Sequence, residues 1–177
     1  MGIKIGAKPD SGFDDPLGML TDCHRRIEHF LHILCLVAAR ARGRQMTEEE
    51  TEAVEAALTY FQVGGKRHNA DEEESLFPRL RTRSAANELE ELEGLESDHQ
   101  HAGELHAAIE EKYRSWIAAG SLSTEDAEHL TSATEQLIRL YEEHIRTEER
   151  IVFPRAAEAL DREEVEAVGQ EFRARRQ

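Results

Sequence analysis

A twelve-residue segment that begins with histidine occurs twice, as HNADEEESLFPR at 68–79 and as HIRTEERIVFPR at 144–155. The two copies agree at six positions, which are the histidine, two adjacent glutamates and the Phe-Pro-Arg ending. Each copy places a glutamate four residues after its histidine, and residues four apart share one face of an α-helix. The repeat therefore predicts two similar helices, each directing an imidazole and a carboxylate the same way.

The first half of the chain is expected to form two long helices. One is predicted over residues 15–41, where apolar side chains recur at helical spacing. A capping box of Thr47 and Glu50 is typical of the start of the second. We expect that helix to run to about Leu76 and Pro78 to stop or kink it, because proline cannot donate a backbone hydrogen bond and crowds the preceding turn.

The second half repeats this arrangement. A third helix is predicted over 85–119, where Gly120 terminates it, and a fourth over 123–154. Asp161 and Glu164 can cap a short fifth helix. No stretch shows the period-two alternation of a strand, so the sequence predicts an all-α fold.

Four long helices joined by short links imply an antiparallel up-down-up-down four-helix bundle. At 177 residues the chain has the length of one domain. The expected organisation is an irregular N-terminal arm over residues 1–14, a bundle over 15–155 and a short C-terminal helix or tail over 156–177.

Composition excludes several classes of partner. The net charge of −15 repels nucleic acid and anionic membrane surfaces. No segment has the apolar length of a signal peptide or of a transmembrane helix. Cys23 and Cys35 lie on one predicted helix, too far apart for a disulfide. These features predict a soluble cytoplasmic protein, and they name no protein partner.

The remaining histidines extend the repeat. His24 precedes His68 by 44 residues, and His99 precedes His144 by 45. Each half of the chain therefore supplies a lone histidine and then a histidine–glutamate pair. In a bundle of this topology the four imidazoles fall in one layer, with the two carboxylates a turn below. Imidazole suits iron, zinc, copper or nickel, and a carboxylate can bridge two ions, so the pattern favours a binuclear metal site.

This pattern resembles the hemerythrin-like HHE cation-binding domains over residues 15–155, and the EExxLFPR-type ending strengthens the resemblance. The resemblance implies a non-haem di-iron centre, two iron ions joined by an oxo or hydroxo bridge, with Glu72 and Glu148 as bridging ligands. The same donors would also accept zinc or manganese. The resemblance carries the ligand role to His24, His68, Glu72, His99, His144 and Glu148.

Two departures from the oxygen-carrying hemerythrins concern the ligands. Those proteins have a further histidine four residues after the third-helix ligand, where this chain has Gly103. They also place the last carboxylate five residues after its histidine, where this chain has Glu149 beside Glu148. A four-residue step turns about 40° from the histidine and a five-residue step about 140°, which favours Glu148. The same choice arises between Glu72 and Glu73, and the sequence leaves both open.

A small-ligand pocket is predicted one helical turn above the histidine layer. Gly64 and Gly103 leave space there, and Glu28 is expected to enter the pocket as an extra ligand or as a hydrogen-bonding acid. His106, seven residues after His99, is a reserve ligand. Tyr141, three residues before His144, is a candidate donor to a ligand carboxylate.

The leading functional hypothesis is a di-iron module that binds or senses a diatomic ligand, either dioxygen or nitric oxide. A second hypothesis is an enzyme that reduces oxygen, peroxide or nitric oxide, or takes part in iron-sulfur repair. A third is a metal store or a structural zinc or manganese site. The sequence does not decide whether the protein turns over a substrate.

Overall fold

A computed structural model describes residues 10–83 and 86–177, with side chains in the second range described from residue 90 onward. The first helix, α1, spans Pro16–Ala41, and the Asp15 side chain caps it by accepting a hydrogen bond of 3.0 Å from the Gly18 N–H. The chain leaves α1 through Arg42 and Gly43, both in the left-handed region with φ of 46° and 80°. Glycine suits that conformation because it has no Cβ to clash with the backbone.

The second long helix alternates α and π geometry. Its capping box is present as predicted, with Thr47 accepting from the Glu50 N–H and Glu50 accepting from the Thr47 N–H. Its segments are α2 (Glu48–Tyr60), a π segment (Phe61–Gly65), α3 (Lys66–Asp71), a π segment (Glu72–Leu76) and α4 (Phe77–Arg81).

The described residues from 86 onward are also mostly helical. Its segments are α5 (Ala86–Ala119), α6 (Thr124–Thr147), a π segment (Glu148–Val152), α7 (Phe153–Ala159) and α8 (Arg162–Ala174). Ser123 caps α6 and an Asp161–Glu164 capping box starts α8. The predicted start of the third helix at residue 85 lies outside the described residues, as does most of the N-terminal arm.

The second and fourth long helices run past their predicted ends near Leu76 and at Pro154, to Arg81 and Ala159, so neither proline stops its helix. A π segment precedes each proline, and the N–H of Phe77 bonds to the Glu72 carbonyl five residues back. Phe153 bonds to Glu148 in the same way. The wider π turn leaves room for the proline ring at the point where an α-helix would clash with it.

The all-α prediction is confirmed, since no strand occurs within residues 10–83 and 86–177. Helix α1 packs against α2 and α6, and α5 packs against α6 and α2. Two inter-helix links meet at one end of the bundle, where the Leu122 N–H donates to the Gly43 carbonyl. Helix α8 packs against the start of α1 and the π segment at Glu72.

Two apolar clusters fill the interior. One contains Leu34, Trp116 and Leu137 toward the linked end, and the other contains Leu20, Phe77 and Phe172 toward α8. The predicted histidines lie in the chain between members of the two clusters. The site is therefore a polar layer between two hydrophobic layers.

A buried carboxylate fastens α8 to the bundle. Asp71 is 1% exposed and accepts hydrogen bonds from Arg175 at 2.9 Å and from Arg176 at 2.6 Å. Arg79 also pairs with Glu171 at 2.7 Å. In the described part of the chain, no helix is both long enough and apolar enough to cross a membrane.

Candidate metal centre

The six predicted ligands are all buried in one layer of the bundle. None is more than 5% exposed, and both glutamates are fully buried. Each histidine comes from a different long helix, as the repeat predicted. The donor atoms form two groups in which all atoms lie within 4.8 Å of one another, and both glutamates belong to both groups. The first group is His24, His68, Glu72 and Glu148, and the second is His99, His144, Glu72 and Glu148.

Each carboxylate lies between histidines of the two groups. Glu148 Oε2 is 3.0 Å from His24 Nε2, and its Oε1 is 3.2 Å from His144 Nε2. Glu72 Oε2 is 3.5 Å from His68 Nε2 and 3.4 Å from His99 Nε2. The arrangement has an approximate twofold symmetry that matches the sequence repeat.

The second glutamate of each doublet lies outside this layer. Glu73 accepts a hydrogen bond of 2.7 Å from His99 Nδ1, and Glu149 accepts one of 2.9 Å from His24 Nδ1. Each therefore orients a histidine contributed by the other half of the chain. A carboxylate accepts this hydrogen bond from Nδ1–H, and in a neutral imidazole the Nε2 lone pair then faces the layer. Of each glutamate pair that the sequence left open, the structure puts the first among the donor groups and the second against an imidazole.

Burial and mutual proximity set the charges of the two inner carboxylates. Burial, together with the neighbouring Glu148, raises the pKa of Glu72 well above its ordinary value. Burial also opposes ionisation of Glu148, but the close imidazoles of His144 and His24 outweigh it and hold the Glu148 pKa below its usual range. Burial lowers the pKa of His68 well below its ordinary value, so that imidazole is neutral.

The donor set fits a pair of metal ions. Among the described residues, several buried donor atoms have no hydrogen-bond partner, namely Nε2 of His24, both ring nitrogens of His68 and all four carboxylate oxygens of Glu72 and Glu148. These atoms lie 3.0–3.5 Å from one another without forming hydrogen bonds. Burying unpaired polar atoms costs roughly 1–3 kcal/mol each by protein mutational measures, and bound cations would offset that cost. Neutral imidazoles with carboxylates are ligands for iron, zinc or manganese.

The small-ligand pocket predicted between Gly64 and Gly103 differs from the observed cleft at Gly64. A cleft of about 530 Å³ lies beside the site and is lined by Gly103, but its other glycine is Gly65. Gly64 faces the Tyr60 ring, where an added Cβ would come within 2.7 Å of a ring carbon. The π segment Phe61–Gly65 changes the helical register, which moves Gly65 to the face expected for Gly64.

Glu28 is not part of this cleft, and its predicted role there is wrong. Glu28 is exposed and lines a separate cavity of about 180 Å³ with His32 and Glu142. The buried face of α1 continues from His24 through Ile27, which is fully buried. A step of three residues therefore stays in the core here, while the step of four to Glu28 points outward.

His106 and Tyr141 form the inner wall of the cleft. His106 Nε2 is 3.2 Å from the Tyr141 hydroxyl, and neither residue belongs to a donor group. Burial lowers the pKa of His106 to about 4, so its imidazole is neutral. Tyr141 hydrogen-bonds to His106 rather than to a ligand carboxylate, and its ring contacts the His144 ring edge-on with centroids 6.2 Å apart.

Asp98 is an outer contact that the sequence reasoning missed. Its Oδ2 lies 3.4 Å from His144 Nδ1. The adjacent acids of the doublets, Glu73 and Glu149, were considered as bridging ligands but not as partners of distant histidines. The sequence does place these acids directly beside a histidine or a ligand glutamate. Spacing alone, however, does not show which distant histidine each acid contacts.

Comparison with known proteins agrees with this geometry. The family described as hemerythrin HHE cation binding domain matches residues 15–156. An uncharacterized protein of Haemophilus influenzae is 27% identical over 165 residues, covering 93% of this chain and 92% of that protein. The family match spans all six buried donor residues. The family and the two donor groups together indicate a metal-binding site.

Proposed function

The chain belongs to the hemerythrin HHE cation binding domain family, and from that premise we propose that it is a non-haem di-iron protein that binds dioxygen or nitric oxide. The observation that carries the proposal is the pair of fully buried glutamates shared by two histidine groups. His24 and His68 would hold one ion, His99 and His144 the other, and Glu72 and Glu148 would bridge them. Iron would supply a redox-active centre able to bind a diatomic ligand.

The number of donors favours iron over a structural zinc. Each group offers four protein donors. Four donors complete a tetrahedral zinc site, whereas they leave positions open on an ion that prefers six ligands. Open positions are what a small ligand requires.

The cleft lined by Gly65 and Gly103 provides an approach from the surface. Tyr141, whose ring contacts that of His144 in the donor layer, and His106 both line this cleft. Their hydrogen bond satisfies both polar groups, so the inner wall presents aromatic rings, including Phe61, whose ring centroid is 4.2 Å from that of His106. A small neutral molecule would cross such a wall more readily than an ion, because an ion would lose its hydration.

Metal content and spectroscopy test the proposal. Protein purified without oxygen is expected to hold about two irons per chain, one for each donor group, and its visible spectrum should change reversibly on exposure to dioxygen or nitric oxide. Irreversible bleaching with consumption of oxidant would support the enzyme instead. Zinc with no spectral response would contradict the proposal.

Filling the cleft should weaken ligand binding without removing metal. A Cβ at Gly103 meets no described atom within 4 Å, so Gly103→Leu is expected to fold and to narrow the cleft. We expect diatomic binding about tenfold weaker, the scale of a steric change in an apolar pocket. Gly94→Leu is the matched control, since Gly94 lies on the same helix with equally open space and does not line the cleft. Equal effects of the two substitutions would exclude the cleft as the route.

A further inference from the structure

Two of the four imidazoles are held firmly by an outer carboxylate. His99 Nδ1 donates to Glu73 at 2.7 Å, and His24 Nδ1 donates to Glu149 at 2.9 Å. Such a partner fixes the tautomer and the ring orientation and makes the inner nitrogen a better electron donor. Loss of an outer partner typically costs 10–100-fold in metal affinity.

The other two imidazoles differ from each other. His144 Nδ1 has a long contact of 3.4 Å with Asp98. His68 Nδ1 is buried and has no hydrogen-bond partner among the described residues. At this point the two halves of the chain depart from their twofold symmetry.

These differences fall in separate donor groups and would therefore affect separate ions. His24 and His68 belong to one group, which therefore has one outer carboxylate. His99 and His144 belong to the other, which has Glu73 at short range and Asp98 at long range. The inner carboxylates are common to both groups and do not distinguish them. Among the described residues, only the second group has an acid facing each of its imidazoles, which strengthens its donors and its local negative charge.

We propose that the two metal positions are unequal, and that the His24–His68 position binds its ion about tenfold more weakly than the His99–His144 position. This inference rests on the proposed function, since it requires that both groups bind metal. The ion beside His68 is then the last to load and the first to exchange. Glu73, Glu149 and Asp98 are positioning residues that act through the imidazoles.

Anomalous diffraction tests the inequality directly. Crystals of metal-free protein loaded with one equivalent of Co²⁺ are expected to show the larger anomalous peak between His99 and His144. Equal peaks, or a larger peak beside His68, would overturn the inference while leaving the proposed function intact. Absence of both peaks at excess Co²⁺ would instead contradict the proposed function.

Substitutions of the two outer glutamates should each weaken one binding step, and they should change the separation between the two steps in opposite directions. Calorimetric titration of the metal-free protein with Co²⁺ is expected to give two steps. Glu73→Gln weakens the tighter step by about tenfold and brings the two steps together, whereas Glu149→Gln weakens the weaker step and separates them further. Glu143→Gln is the control, because it removes the same charge from an exposed position beside His144. Equal effects of Glu73→Gln and Glu149→Gln on both steps would also overturn the assignment.

Discussion

Glu72→Gln is expected to abolish binding of both metal ions while leaving the metal-free fold intact. Glu72 belongs to both donor groups, so the change removes a ligand from each proposed position. Loss of an outer partner alone costs 10–100-fold, and we expect loss of a bridging ligand to cost more than about 100-fold. Burial raises the pKa of Glu72 well above its ordinary value, which favours the protonated side chain in the metal-free protein, and glutamine resembles that form in shape and charge.

Thermal unfolding measures both parts of this expectation. Metal at one hundred times its Kd stabilises a folded protein by about 2.7 kcal/mol per site, which is roughly 5–10 °C for a chain of this size. Wild-type protein should show at least that rise on adding Fe²⁺ or Co²⁺, and Glu72→Gln should show none. Without metal the two proteins should unfold within about 2 °C of each other, a difference below 1 kcal/mol. Full metal loading of Glu72→Gln would contradict the bridging role.

Replacing Arg175 and Arg176 together with alanine should lower the free energy of unfolding by about 3–5 kcal/mol. Both guanidinium groups bond to Asp71, which is 1% exposed, so their removal leaves a buried carboxylate without its cations. Urea denaturation monitored by circular dichroism measures the loss. Adding Asp71→Asn to the double variant should recover part of it, because the uncompensated charge is then gone.

A surface arginine supplies the control for this experiment. Arg162 is 91% exposed and pairs with Glu166 four residues later on α8. Arg162→Ala should change the free energy of unfolding by less than about 0.5 kcal/mol, as is usual for an exposed helical pair. A similar small effect of the double arginine substitution would show that Asp71 does not fasten α8.

The repeat and the helix-capping residues predicted most of the fold. Thr47 with Glu50 and Asp161 with Glu164 form the expected capping boxes, since these interactions are local in sequence. The grouping of the four histidines followed from equal spacing on four antiparallel helices. The first kind of prediction depends on local sequence, and the second depends on regular helical periodicity.

The errors at the helix ends and at Gly64 occurred where the periodicity changes. π segments at 61–65, 72–76 and 148–152 each alter the helical register. They let the chain continue past Pro78 and Pro154, and they put Gly65 rather than Gly64 in the cleft. No residue type marks a π segment as a capping box marks a helix start, so the sequence did not reveal them. Tertiary packing determines where these register changes occur, and the sequence pattern does not show that packing.

The division of donors between the two halves has a consequence for the order of assembly. The hairpin of the first two long helices carries His24, His68 and Glu72, but each donor group also needs Glu148 from the second hairpin. Neither hairpin alone presents a complete donor group, so high-affinity loading must follow their docking. A bound ion would then stabilise the bundle after the two hairpins have docked, and it would not nucleate the initial collapse of the chain.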